Sequence, residues 1–185
     1  MTKSYQTRRL ILRTLDPDEG FLSLNYYEAN KEFLAPFEPT RDESFYTLSR
    51  HEKLVRIEQD EMDKLTMLRL WIFLKDGSTE RPIGNIGFTN IVRGVFLSCF
   101  LGYKLDHDHL QVGYMKEALE KGIEIMFNDY GLHRIEANIM PSNTASLALC
   151  RSLNFTEEGL AKKYLRINDH WEDHLHMVKF NEALE

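Results

Sequence analysis

Between Leu68 and Leu105 the chain sets down three apolar runs in quick succession, Arg69 to Leu74, Pro82 to Ile91 and Val95 to Leu105, each rich in Ile, Phe, Val or Tyr. Asp76-Gly77-Ser78 and Arg93-Gly94 separate them, so turn chemistry alternates with residues that favour a pleated, half-buried surface. Runs this closely spaced pair most simply as consecutive antiparallel strands. The third, VFLSCFLGYKL, is apolar on both faces and therefore belongs inside a sheet rather than at its edge. Everything else in the chain has to cover that sheet.

The flanking segments are patterned to do so. Leu10-Ile11-Leu12 between polar neighbours marks a first strand over residues 8–15. Asp16-Pro17-Asp18-Glu19 then offers an N-cap, a proline at the first helical position and early acids, which predicts a helix toward Asn30. FLAPFEPTRDES, residues 33–44, reads as a structured loop, after which Asp42 or Ser44 caps a second helix running through about Met62. Downstream, Tyr114, Ala118, Leu119, Gly122, Ile123, Ile125 and Met126 form a helical stripe over 113–130, closed by Gly131. HRIEANIM (133–140) alternates like a strand, Pro141 stops it, and Ser142 or Asn143 caps another helix. Lys162 to Ile167 and Trp171 to Phe180 flank Asn168-Asp169-His170 as a hairpin. The predicted order is strand, two helices, three strands, helix, strand, helix, two strands, an α/β (α+β) pattern. With 185 residues and no linker, repeat or low-complexity segment, a single domain over 1–185 is expected.

Charge and composition narrow the function classes. A net charge of −6 argues against binding nucleic acid by broad phosphate neutralisation. Cys99 and Cys150 lie in apolar runs and read as buried thiols of a reducing compartment. The first residues lack a signal peptide's apolar core and no window approaches the roughly 18 apolar residues of a membrane span, so a cytoplasmic protein is expected, with no membrane partner. His107-x-His109 and His174-x-His176 each put two imidazoles on one face of an extended segment, but no CxxC or HExxH accompanies them, and no metal is expected.

One junction suggests a ligand. The strand ending at Leu105 leads to a helix with Gly113 in its first turn, where free backbone N–H groups and the helix dipole suit an anion, although packing alone explains such a glycine equally well. The local sequences say more: TRRLILR (7–13), YYEANKEFLAPFEPTRDES (26–44), IGNIGFTNIVRG (83–94), LGYKL (101–105), GYMKEAL (113–119), HRIEANIMPSNTAS (133–146) and EEGLAKKYLRINDHWEDH (157–174). Together these segments resemble the GNAT superfamily of acetyl-CoA-dependent N-acetyltransferases, in its ribosomal-protein-alanine (RimJ/RimL-like) group, and FEPTRDES and NIVRG lean toward the RimJ side.

The resemblance implies a GNAT fold, a mixed, mostly antiparallel sheet splayed at its fourth strand and flanked by about four helices, with acetyl-CoA as co-substrate lying in the gap. Tyr103 and Leu105 would pair with it through their backbones, with Lys104 between them. Leu110, Gln111, Val112, Gly113, Tyr114 and Met115 would wrap its pyrophosphate, and Asn138, Asn143, Ser146 and Arg151 complete the expected contacts. Of the pattern Q/R-x-x-G-x-G/A only Gly113 is kept strictly: Leu110 stands for the Gln or Arg, Gln111 for a frequent glycine and Met115 for the last small residue. A lost charge-assisted contact costs about 1.5–3 kcal/mol and a left-handed Gln111 about 1–2 kcal/mol, so cofactor affinity is expected to fall by about tenfold to a hundredfold while the site is retained.

Catalytic roles also follow from the resemblance. Ser146 is the expected general acid, though a first-turn serine also serves its own helix; Tyr164 is the alternative, or a core or rim tyrosine. Glu136 is the candidate base through water, or an ordinary outward strand residue. Glu38 and Asp42, with Arg41 and Glu43 in the same loop, would receive the substrate's cationic terminus or cap the second helix, and His174 would line the acceptor channel. The implied reaction is acetyl transfer to the α-amine of a protein N-terminus, ribosomal or otherwise small and basic, by a monomer or homodimer. An α-amine near pKa 8 is about a tenth neutral at pH 7, so a modest base suffices. A small-molecule or amino-acid amine is the alternative acceptor, and a non-catalytic acyl-CoA or ribosome-associated module the alternative of another class.

Overall fold

The computed structural model describes residues 2–77 and 81–185; Ser78 of the first predicted turn lies outside them. The strands are β1 (Ser4–Gln6), β2 (Leu10–Arg13), β3 (Leu68–Leu74), β4 (Gly84–Val92), β5 (Ser98–Leu105), β6 (Arg134–Ile139), β7 (Thr156–Ile167) and β8 (His170–Phe180). The helices are α1 (Gly20–Ala29), the single turn α2 (Lys31–Leu34), α3 (Leu48–Asp63), α4 (Tyr114–Asn128) and α5 (Thr144–Ser152). One eight-stranded sheet takes the order β1-β2-β3-β4-β5-β6-β8-β7. Its pairs are antiparallel except β5 with β6.

Alternation along β3 explains why both faces are covered. Leu68, Leu70 and Ile72 join the cluster under α4, with Ala118, Leu119 and Met126, while Trp71 and Phe73 turn to the opposite face and pack with Leu22 and Tyr26 of α1 and Val55 of α3. The sheet is the middle layer, with α4 and α5 on one side and α1 and α3 on the other.

The pairing of β5 with β6 decides the site. Only Ser98–Arg134, Cys99–Ile135 and Phe100–Glu136 are in register, after which the two strands part. The strand that opens is the one predicted fourth; it stands fifth because β1, which has no apolar pattern of its own, adds an edge strand beside β2. Along β5, Asp106 donates its N–H to Ile83 O, so even-numbered residues turn their backbone to β4 and the odd-numbered Leu101, Tyr103 and Leu105 turn theirs to the gap.

Three expectations change in detail. Residues 33–44 take in the end of α2 and short 3-10 turns, and Asp42 caps the turn Glu43–Phe45 by accepting the Phe45 N–H at 3.2 Å, while α3 begins only at Leu48. β7 starts at Thr156, six residues before the predicted hairpin strand, because β8 supplies a partner along that length. The hairpin turn is two residues, Asn168 and Asp169, with φ of 46° and 65°, the positive pair that matches the twist of the flanking strands.

Candidate active site

A cleft of about 680 Å³ follows the gap between β5 and β6. One end is formed by Leu110, Gln111, Gly113, Tyr114 and Met115 ahead of and within the first turn of α4. Gly113 occupies the N-cap at φ 83° with no side chain capping the helix, so the first N–H groups of α4 are left for a ligand. Gln111 sits at φ 61°, the left-handed conformation whose cost the sequence anticipated. Val112 faces solvent, and its carbonyl accepts Arg9 Nη1 at 2.9 Å. Arg9 stacks on Tyr114 at 4.5 Å and is clamped by Glu117 through Nε and its own N–H, both at 2.7 Å. Burial opposes ionisation of Glu117, but the bonds from Thr7 and Arg9 outweigh it and hold the carboxyl below its usual range. Arg9 thus brings a guanidinium to the loop where Leu110 lacks one; reading TRRLILR only as a strand missed it.

Midway, Tyr103 on β5 meets α5. Its hydroxyl lies 2.7 Å from Ser146 Oγ and 3.3 Å from Cys150 Sγ. Asn143 caps α5 by accepting the Ser146 N–H at 3.2 Å, which fixes the serine in the first turn. Burial pushes both the Tyr103 phenol and the Cys150 thiol up, so each keeps its proton at neutral pH. Sequence reasoning used only Tyr103's backbone; the hydroxyl pair arises from a contact 43 residues apart in the chain.

On the opposite face of the sheet stand Lys104, Asn138 and His174, all in the cleft wall. Lys104 Nζ pairs with Glu38 and bonds Tyr27 Oη at 3.0 Å. Arg41 holds the other Glu38 oxygen at 3.2 Å while packing on Phe45, outside the wall. Glu38 is buried between two cations, so it is tied down rather than free. His174 is buried, with Nδ1 3.0 Å from Glu172 O and its ring 5.6 Å from Tyr164. Tyr164 accepts Asn138 Nδ2 at 3.2 Å. Burial first, then the Glu136 charge, raises its phenol.

The remaining expected residues lie off the cleft wall. Glu136 contacts Arg134 at 2.7 Å and His176 Nδ1 at 2.9 Å. Asp42 serves its turn, exposed Glu43 pairs with Lys31 at 3.0 Å, and Arg151 pairs with Glu157 at 3.2 Å. At the outer edge Asn168 Nδ2 donates to Ala35 O at 2.7 Å, which ties the last hairpin to the segment after α2. Among the described residues, the cluster with metal-compatible spacing is Asp106, His107 and Asp108, where buried Asp106 is already held by Arg81 and Asn30.

An opened parallel pair, a helix start facing it and a hydroxyl pair on its wall form the arrangement implied for acyl transfer from a nucleotide thioester. The family profile described as "Acetyltransferase (GNAT) domain" matches residues 9–156. The chain belongs to the GNAT acetyltransferase family. The [Ribosomal protein uS5]-alanine N-acetyltransferase of Escherichia coli is 36% identical over 170 residues, 91% of this chain and 86% of that protein. The crystal structure of the ribosomal-protein-S5-alanine acetyltransferase of Vibrio fischeri superposes with a TM-score of 0.92 at 30% identity, covering 99% of both chains. RimJ of Mycobacterium smegmatis, solved with a CoA disulfide, gives 0.90 at 28% identity over 100% of this chain and 89% of that one. The GNAT fold expected from sequence is present, with five helices and eight strands among the described residues.

Proposed function

We propose that this GNAT enzyme transfers the acetyl group of acetyl-CoA to the α-amine of a protein N-terminus, with a ribosomal or other small cytoplasmic protein as acceptor and residues 1–185 acting as one domain. The observation that carries the reading is the hydroxyl pair Ser146–Tyr103 on the wall of the opened β5/β6 gap. The similarity to ribosomal-protein-alanine acetyltransferases supports the same acceptor class.

When bound, acetyl-CoA supplies the thioester and the thiolate that leaves. The gap-facing backbone groups of Tyr103 and Leu105 would hold its arm, and the uncapped N–H groups of α4 with Arg9 beside them would hold the pyrophosphate. Ser146, positioned by Asn143 and backed by the proton-retaining Tyr103, donates to the leaving sulfur. Arg151, Asp42 and Glu43 have no part in this mechanism, since each is spent on a surface contact.

Intact-mass measurement of peptides with free or blocked α- and ε-amines, incubated with protein and acetyl-CoA, tests the acceptor. A gain of about 42 Da confined to free α-amines is expected; gain only on ε-amines or small amines rejects it. Ser146→Ala is expected to lower kcat by about 10- to 100-fold with the KM for acetyl-CoA little changed, and an unchanged kcat removes Ser146 from the acid role.

A further inference from the structure

Glu136 matches the position of a base acting through water, yet its carboxylate is occupied. Oε2 takes the Arg134 guanidinium at 2.7 Å, and Arg134 also holds Glu158 at 2.7 and 2.8 Å. Oε1 lies 2.9 Å from His176 Nδ1. With Nδ1 turned to the Glu136 carboxylate at that distance, the neutral ring places its proton on Nδ1 and its lone pair on Nε2. That Nε2 is buried and has no hydrogen-bond partner. Directly across the β6–β8 ladder stands Asn138, whose Oδ1 is also buried without a partner. Tyr164 closes the group, its ring 5.0 Å from that of His176 and its hydroxyl bonded to Asn138 Nδ2.

Two orphaned acceptors on one rung, beside a residue of the cleft wall, call for a donor with two hydrogens. A bridging water would serve both: one O–H to Asn138 Oδ1, the other to His176 Nε2, with a lone pair left for an amine N–H. We propose that the His176–Glu136 dyad, reached through this water, accepts the proton of the acceptor amine. The proposal rests on the acetyl-transfer reading above and supplies the base it lacks. Asn138 and His174 lie on the sheet face of Lys104 and Glu38, while Ser146 and Tyr103 lie on the other, so proton removal and proton delivery occur on opposite sides of the gap. The groups facing His176 are Arg134 and Glu136 on β6, His174 on its own strand, and Tyr164 and Glu158 on β7.

In the step, the N–C bond forms and the C–S bond breaks. The amine proton moves to the water as the water passes one of its own to Nε2, and the imidazolium is held by Glu136. The thiolate takes a proton through the Ser146–Tyr103 pair, and solvent restores that proton as His176 releases its own. The protein gains no net proton. His176 and Glu136 thus act through the water, as positioning and relay residues rather than as groups that touch the substrate.

The test compares wild type, His176→Gln and Glu136→Gln on a peptide beginning with Ala and on a free amino acid, at saturating acetyl-CoA across about pH 5.5 to 9. His176→Gln is expected to lower kcat by about a hundredfold at neutral pH and to leave the KM for acetyl-CoA within about twofold. A kcat within about threefold of wild type overturns the dyad. Nitrogen-15 NMR of the wild-type ring gives an answer that no folding defect can mimic: the Nδ1–H tautomer supports the relay and the Nε2–H tautomer overturns it. Turnover of the amino acid but of no peptide overturns the N-terminal reading alone, and the dyad is then judged on that amine. No turnover of either amine overturns both.

Discussion

At Gln111 the backbone is held at φ 61° beside Gly113 at 83°, and the glutamine side chain is exposed. An L side chain in the left-handed region costs about 1–2 kcal/mol, and glycine there returns part of that gain through the entropy of the unfolded chain, about 0.4–1 kcal/mol. Gln111→Gly should therefore stabilise the protein by about 0.5–1 kcal/mol in urea melts, and a loss of stability would show that the side chain contributes contacts outweighing the strain. Residues whose role is local were the ones legible in sequence: Asn143 capping α5 three residues ahead of Ser146 is a chain-neighbour relation. The Tyr103–Ser146 and Glu136–His176 contacts join residues 43 and 40 positions apart, and only the sheet brings them together. Glu136 itself was legible as a carboxylate on the right strand, while the Arg134 and His176 side chains that occupy it were not.

Elements were legible where periodicity is strong. α4 carries a buried stripe from Met115 to Met126 and matches its predicted span within two residues, whereas β1 and the first half of β7, with Glu157, Glu158 and Gly159, have poor strand composition and form because neighbours offer a ladder. Two glycines show how elements are set against each other. A Cβ at Gly20, the first residue of α1, would lie 2.6 Å from Glu52 N and 2.8 Å from its Cα, backbone that α3 cannot yield. At Gly122 in α4 the clashes are with side-chain ends, Ile86 Cδ1 at 2.7 Å and Phe88 Cε2 at 2.9 Å. Gly20→Ala should cost about 1–3 kcal/mol. Gly122→Ala, where neighbours shift and the helix interior gains about 1 kcal/mol of propensity, should cost less. Thermal melts that rank the two the other way would mean that α1 moves off α3 freely.

For the whole molecule, acid stability is governed first by His51, a fully buried imidazole between the helices of the α1/α3 layer. Ser23 Oγ lies 2.8 Å from its Nδ1, Phe45 and Tyr27 pack on its ring, and Nε2 has no partner. Burial, reinforced by the Arg41 charge, pushes its pKa down from 6.5 to about 4. In that interval the unfolded chain binds a proton that the folded one refuses, so stability falls as pH drops from 6.5 to 4, by about 3 kcal/mol at the limit and about 2 kcal/mol by pH 5. Glu19, Asp106 and Glu117 act in a lower window. In each, burial works against the charge but hydrogen bonds and ion pairs hold the carboxyl below its ordinary value of 4.5, or 3.8 for Asp106, so their contribution is intact above that value and is lost as pH falls through the lowered one. Replacing both members of the buried bond, Ser23→Ala with His51→Phe, leaves no orphaned partner. Urea midpoints of wild type and double variant should therefore converge or cross in the variant's favour by about 2 kcal/mol between pH 7 and pH 5. A difference that stays constant over that range would mean that His51 is protonated in the folded protein, and that the α1/α3 layer admits water where it now packs Tyr27 toward Lys104 and the acceptor side of the cleft.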